Sequence, residues 1–264
     1  MVNDWDWPGA FGLDIGANTG AGGAMESVWM IDPFDKIPRR WDEPTHQFIV
    51  GPSICALRID VAPQGVPWVV MCDNRIARLE GDSWVEVPGG GLANDIGIGQ
   101  NGSVWVIGLD NQAASFDGSG WSWQGGPADQ RAIDVEPNGT PWVVTWSGEI
   151  WVLGQSGWES DSAITSGRAI DIGIGGASSF LDYRSYIWIL ETDGTIWIKN
   201  RQESHPAGCD PNVPDSCQAI SRNRCEWVER NDNPYKSVTA SGRGRPWVIN
   251  SALQYVYRRM ELPF

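Results

Sequence analysis

Hydrophobic positions along this chain fall into short runs that alternate with polar residues at a period of two, and glycine or proline clusters punctuate them. Such runs read as β-strands. The clearest are IDVAPQGVPWVVM from Ile59, NDIGIGQNGSVWVIG from Asn94, IDVEPNGTPWVVT from Ile133 and VTASGRGRPWVIN from Val238. Each is a short strand, a glycine turn and a Trp-bearing strand. Within the second, Gly97, Gly99 and Gly102 spell G-x-G-x-x-G, a spacing that in dinucleotide-binding folds brings backbone amides to a pyrophosphate at a helix N-terminus. The following residues, SVWVIG, are β-branched and aromatic with period-two alternation, so the helix that a phosphate site needs does not open there.

The runs form a repeat. Aligned on the Asp of the first strand, the copies place Asp14, Asp60, Asp95, Asp134 and Asp171 together, with Thr239 in the sixth place. Aligned on the Trp of the second strand, they place Trp29, Trp68, Trp105, Trp142, Trp188 and Trp247 together. Six copies in 264 residues average about 44 residues each, which suits a four-stranded propeller blade. A third register agrees: Trp84, Trp121 and Trp158 each follow the second-strand Trp by 16 residues. The last copy lacks a fourth strand before Phe264, whereas WDWPG from Trp5 resembles WVEVPGG from Trp84. The sequence therefore predicts one all-β domain, a six-bladed β-propeller whose last blade is closed by the N-terminal strand, removing free edges. The expected blades are 8–55, 56–91, 92–128, 129–165, 166–233, and 234–264 with 1–7. Two copies depart from the pattern: the first has a long turn, GANTGAGGAMES, and the fifth has another, GIGGASSFLDYRSY, plus an insertion from about Asn200 to Glu226.

Composition supports many short strands, with 32 Gly, 17 Pro and 17 Trp. Net charge is 19 − 33 = −14, so the mean field repels nucleic acid and anionic membranes. Ten of the nineteen Lys and Arg lie from Lys199 onward, which makes one sector locally basic and reads as a solvated face. No apolar stretch approaches the length needed to span a bilayer, so no membrane insertion is expected. MVNDWDWPG has neither a basic n-region nor an apolar h-region, and the expectation is a secreted or leaderless cytoplasmic protein with no signal peptide visible.

Candidate chemistry is sparse. The insertion carries His205, Cys209, Cys217 and Cys225 at a spacing unlike paired zinc ligands, so a disulfide staple is the expectation, with metal binding the alternative. Cys55 and Cys72 could form a second bridge or remain buried thiols. With two His and no nucleophile motif, catalysis is not expected. The recurrent Asp is read as accepting hydrogen bonds from neighbouring loop backbone, with a carboxylate ring holding a structural calcium near the channel as the alternative; no cofactor is expected. The sequons at Asn101 and Asn138 fall on Asn-Gly turns and are explained by the turn. Trp in register is read as core between blades, while Trp123, Trp146 and one ring of the pair Trp5 and Trp7 fall outside it and could cover the apolar face of a sugar, the alternative being a ring half covered by a neighbouring loop.

The units IDVAPQGVPWVVMCDNRIARLEGDSWVEVPGG, DIGIGQNGSVWVIG with GSGWSWQGG, and IDVEPNGTPWVVTWSGEIWVLGQSGWES resemble tectonin repeats. The likeness is clearest from Ala56 to Gly175. It implies a propeller lectin that recognises surface glycans of foreign cells, among them O-methylated or other microbial sugars, multivalently and in innate defence, with sites in clefts between blades. By that analogy the expected sugar-binding residues lie on the loops after the second strand and before the first: Asp73, Asn74, Arg75 and Trp84; Asn111 and Gln112; Arg131, Trp146 and Glu149; and Arg168. A scaffold that binds protein partners is the alternative function.

Overall fold

A computed structural model describes residues 5–19, 26–89, 91–161, 167–178, 182–204, 220–230 and 235–259. Among them are twenty-four strands and no helix, gathered into six four-stranded antiparallel sheets. The sheets are consecutive: β2–β5 (Asp14–Thr19 to Gln47–Val50), β6–β9 (Ala56–Ala62 to Ser83–Glu86), β10–β13 (Ala93–Ile98 to Trp121–Trp123), β14–β17 (Gln130–Val135 to Gly157–Ser160) and β18–β21 (Ala169–Ser178 to Ile220–Arg230). The sixth comprises β22 (Tyr235–Ala240), β23 (Pro246–Asn250), β24 (Val256–Arg259) and β1 (Trp5–Asp6). The chain is thus a six-bladed β-propeller, and β1 closes the last blade by pairing Trp5 with Arg259 and Asp6 with Arg258.

The core consists of clusters that each join two successive blades, such as Trp68, Val70 and Ile76 against Ile96, Val104 and Val106. The six second-strand Trp residues are all buried, at 8% exposure or less. The fourth-strand Trp reaches back to the preceding blade: Trp84 Nε1 donates to Pro52 O (2.9 Å) and Trp158 Nε1 to Gln124 O (3.1 Å). Large flat rings fill the wedge between two twisted sheets, which is why the register holds Trp.

Strand pairing corrects the Asp alignment. The second-strand Trp sits opposite Gly16, Asp60, Gly97, Asp134, Gly173 and Thr239 in blades one to six. Asp14, Asp95 and Asp171 therefore lie two residues above Asp60, Asp134 and Thr239. A shift of two keeps a side chain on the same face, so the motifs D-I-G and I-D-V look equivalent by pattern while differing in depth. The ring is consequently three-fold in character, with odd blades reading Asp-Ile-Gly and even blades placing Asp or Thr where odd blades have Gly.

The glycines have a steric reason. A Cβ on Gly16, Gly97 or Gly173 would stand 2.5, 2.7 or 2.6 Å from the Cα of Asp60, Asp134 or Thr239 in the next blade. Blade contacts this close tolerate no side chain. Gly97→Ala is expected to cost about 2 kcal/mol or more by chemical denaturation, whereas Gly120→Ala, which meets only open space, is expected to change stability by less than about 0.5 kcal/mol.

Candidate functional site

The first strand of each blade has one edge facing the channel, and its amides there have no sheet partner. Carboxylates supply one. Asp14 accepts from Ile59 N–H (2.8 Å), Asp60 from Ile98 (2.6 Å), Asp95 from Ile133 (2.9 Å), Asp134 from Ile174 (2.5 Å) and Asp171 from Val238 (2.8 Å). In every case the donor lies one residue deeper in the next blade, so one geometry is used at two depths. The donors belong to strands rather than to loops as the sequence suggested. At the sixth junction Ser237 Oγ donates to Asp14 (3.0 Å) and Ser241 Oγ to Glu26 (2.7 Å).

These carboxylates line a cavity of about 570 Å³ at the channel mouth, on the face that carries the second-to-third strand loops. A separate recess of about 10 Å³ lies toward the opposite face beside Asn18, Ile98 and Pro137. Arg58, Arg131 and Lys236 share it with the acids. Arg58 sits 3.6 Å from Asp95, and the carboxylates of Asp14, Asp95 and Asp171 outweigh its burial and strengthen its hold on the proton. Burial pushes all five Asp upward, Asp95 to about 7, against the opposing pull of Arg58 and backbone amides. Among the described residues no group of His, Cys, Asp and Glu is arranged to hold a metal ion.

The rim holds four of the ten residues expected from the sequence. Asn74, Asn111, Arg131 and Trp146 converge on the mouth, joined there by Asn94 and Gln130. Trp146 is 62% exposed, and the Arg131 guanidinium lies over its ring at 4.4 Å. Its loop is fixed by Trp146 N–H donating to Asp129 O (2.9 Å) and by Glu149 N–H donating to Thr145 Oγ1 (3.1 Å). Asn74 Nδ2 donates to Ala93 O, and Asn94 Nδ2 donates to Asn111 Oδ1. Gln130 is fully buried, and its Oε1 has no partner.

The other six lie elsewhere. Asp73, Arg75 and Glu86 form an exposed ion-pair chain, with Arg75 at 2.7 Å from Asp73 and 2.5 Å from Glu86. Arg168 pairs with Glu191 (3.1 Å) and Asp193 (3.0 Å). Gln112 N–H donates to Asp110, and Glu149 closes the Trp146 loop through Ser147. Trp84 is committed to the blade one–two packing described above. Of the cysteines, Cys55 and Cys72 form a disulfide between the start of blade two and its second strand's end. Cys209 and Cys217 lie outside the described residues, as does the Cys225 side chain.

A second cavity, about 690 Å³, opens on the opposite face between blades six, one and two; sequence reasoning did not anticipate it. Trp29, Trp41 and Trp247 wall it, and Arg40, Arg243, Arg245, Arg258 and Arg259 reach it. Arg258 is wedged between Trp41 (4.9 Å) and Trp247 (5.6 Å), and donates to Asp6 (3.0 Å) and Glu43 (3.0 Å).

No protein-family model matches the chain, and no curated protein matches it. Solved structures do share its fold. AofleA from Arthrobotrys oligospora superposes with a TM-score of 0.56 at 12% identity over 94% of this chain and 84% of its own. Streptogramin B lyase gives 0.51 at 14% identity over 96% and 93%, and YCF48 bound to D1 peptide gives 0.53 at 11% over 96% and 78%. At such identities the likeness is one of scaffold.

The raised carboxylates carry a pH signature. A carboxyl protonated more readily in the folded than in the unfolded chain favours folding below its ordinary pKa near 3.8, and that benefit is lost as pH rises toward about 7 for Asp95. The melting temperature is expected to fall between pH 4 and pH 8, and Asp95→Asn to flatten that slope, as read by calorimetry across the series. A melting temperature that rises over this range would contradict the assignment.

Proposed function

We propose that this chain is a non-catalytic carbohydrate-binding lectin of tectonin type that recognises glycans of foreign cells, with its sugar site at the channel mouth. The observation that carries this reading is the Trp146 ring, 62% exposed at the rim of a polar cavity and braced on one face by Arg131. An indole so held offers its apolar surface to the C–H face of a pyranose, at little entropic cost because the ring is already fixed. The amides of Asn74, Asn94 and Asn111 supply donors and acceptors for hydroxyls around it. Each of the five channel carboxylates accepts a backbone amide of the next blade, a structural role that supports the non-catalytic reading. The Cys55–Cys72 disulfide supports an oxidising compartment, in keeping with a secreted defence protein.

A glycan array with microbial and O-methylated sugars tests this. Saturable binding to one sugar family is expected, weakened at least tenfold by Trp146→Ala and severalfold by Arg131→Ala, with folding checked by circular dichroism. A blank array from folded protein would overturn the reading and favour a scaffold that binds protein partners at the same mouth.

A further inference from the structure

The cavity between blades six and one has a charge character opposite to that of the chain. The protein carries a net charge of −14, yet five Arg and three acids, Glu26, Asp42 and Glu43, line this groove. The acids are already engaged. Glu43 accepts from Arg258 at 3.0 Å and from Trp41 Nε1 at 2.5 Å. Glu26 accepts from Ser241, and Asp42 from Thr45 at 2.6 Å. Arg258 Nε donates to Asp6, and its Nη2 lies 3.3 Å from His46 Nδ1. Arg40 and Arg245, the first exposed and the second half-buried, line the same cavity, and among the described residues neither guanidinium has a hydrogen-bond or ion-pair partner.

Two guanidiniums without an ion-pair partner among the described residues, in one concave site on a protein with carboxylates in surplus, leave local positive potential. Guanidinium groups match carboxylate and sulfate in planarity and fork geometry. The neighbouring acids and the Gln64 amide add acceptors suited to hydroxyls, and the volume lies within the range of small-ligand sites. A nucleic acid would have to approach against the field of the whole molecule, whereas a short acidic sugar exposes it to few charges.

We infer that this groove is a second binding site, specific for an acidic saccharide whose carboxylate or sulfate sits between Arg40 and Arg245. It lies on the face opposite Trp146 and does not depend on the mouth site.

Calorimetric titration tests it with three probes: a sulfated heparin-derived tetrasaccharide, a galacturonate oligomer, and a neutral oligosaccharide of matched length. At least one acidic probe is expected to bind saturably, more weakly as salt rises, and the neutral probe not to bind at this groove. The double variant Arg40→Gln/Arg245→Gln is expected to weaken acidic binding about tenfold or more, while Trp146→Ala leaves it unchanged. The single variant Arg40→Gln, exposed and unpaired, guards against a folding defect and is expected to give a smaller loss in the same direction. Acidic binding unaffected by the double variant, or no binding by either acidic probe, would overturn the inference. Displacement by inorganic sulfate at the concentration of the oligosaccharide would overturn it as a saccharide site. Failure of the mouth reading would appear separately, as neutral-sugar binding indifferent to Trp146.

Discussion

The structure depends on a hydrogen bond made between blades rather than within them. Every four-stranded sheet of a propeller has an inner strand whose channel-side amides no sheet can pair. In this chain a carboxylate from the preceding blade accepts one of those amides at five junctions. The same contact satisfies an edge, fixes the angle between neighbouring sheets, and places acid in the channel. It also carries a penalty, because the acids are buried and resist ionisation. Alternating the depth of the Asp from blade to blade divides the five acids between two planes, and the glycine opposite each deeper Asp or Thr239 lets the backbones approach closely enough for the contact to form.

Much of this was legible in the sequence because it repeats. The Trp register identified the strands, the blade number and the closure by β1, since a ring that buries one large aromatic per wedge must show it at regular spacing. The depth alternation was present too, in Asp-Ile-Gly against Ile-Asp-Val, but period-two strands conceal shifts of two. The even blades carry a second mark, Pro67, Pro141 and Pro246 before the Trp, and the structure gives it meaning: Pro141 and Pro246 open their strands, where a missing amide costs least.

The sites were less legible, for two different reasons. At the mouth, loop position named Asn74, Asn111, Arg131 and Trp146, which line one cavity, but it could not tell a residue turned to the channel from one such as Arg75 or Arg168 that is spent on a local ion pair. At the groove the obstacle is topological. The excess of Arg late in the chain was visible as composition, yet Arg245 and Arg258 meet Arg40 and Glu43 only because the ring closes and sets blade six against blade one. Residues some two hundred positions apart become neighbours through β1, and no local pattern announces it.

Repetition of the fold also does not mean repetition of the site. The position held by Trp146 is Cys72 in blade two and Leu109 in blade three, since Met71, Gly108 and Thr145 each open the same turn by donating to the residue four further on. Cys72 is tied into a disulfide and Leu109 offers no planar ring. A rigid ring bearing identical weak sites would gain by effective concentration, but here the blades have diverged around a conserved wedge geometry. The selective pressure of packing acts on every blade alike, through the Trp and the inter-blade carboxylate. Binding chemistry escapes that pressure only on the loops and at the seam, and there it differs from blade to blade. On the proposed binding reading, the Trp146 position is not repeated in blades two and three, so avidity comes from unlike sites on the two faces or from association of rings.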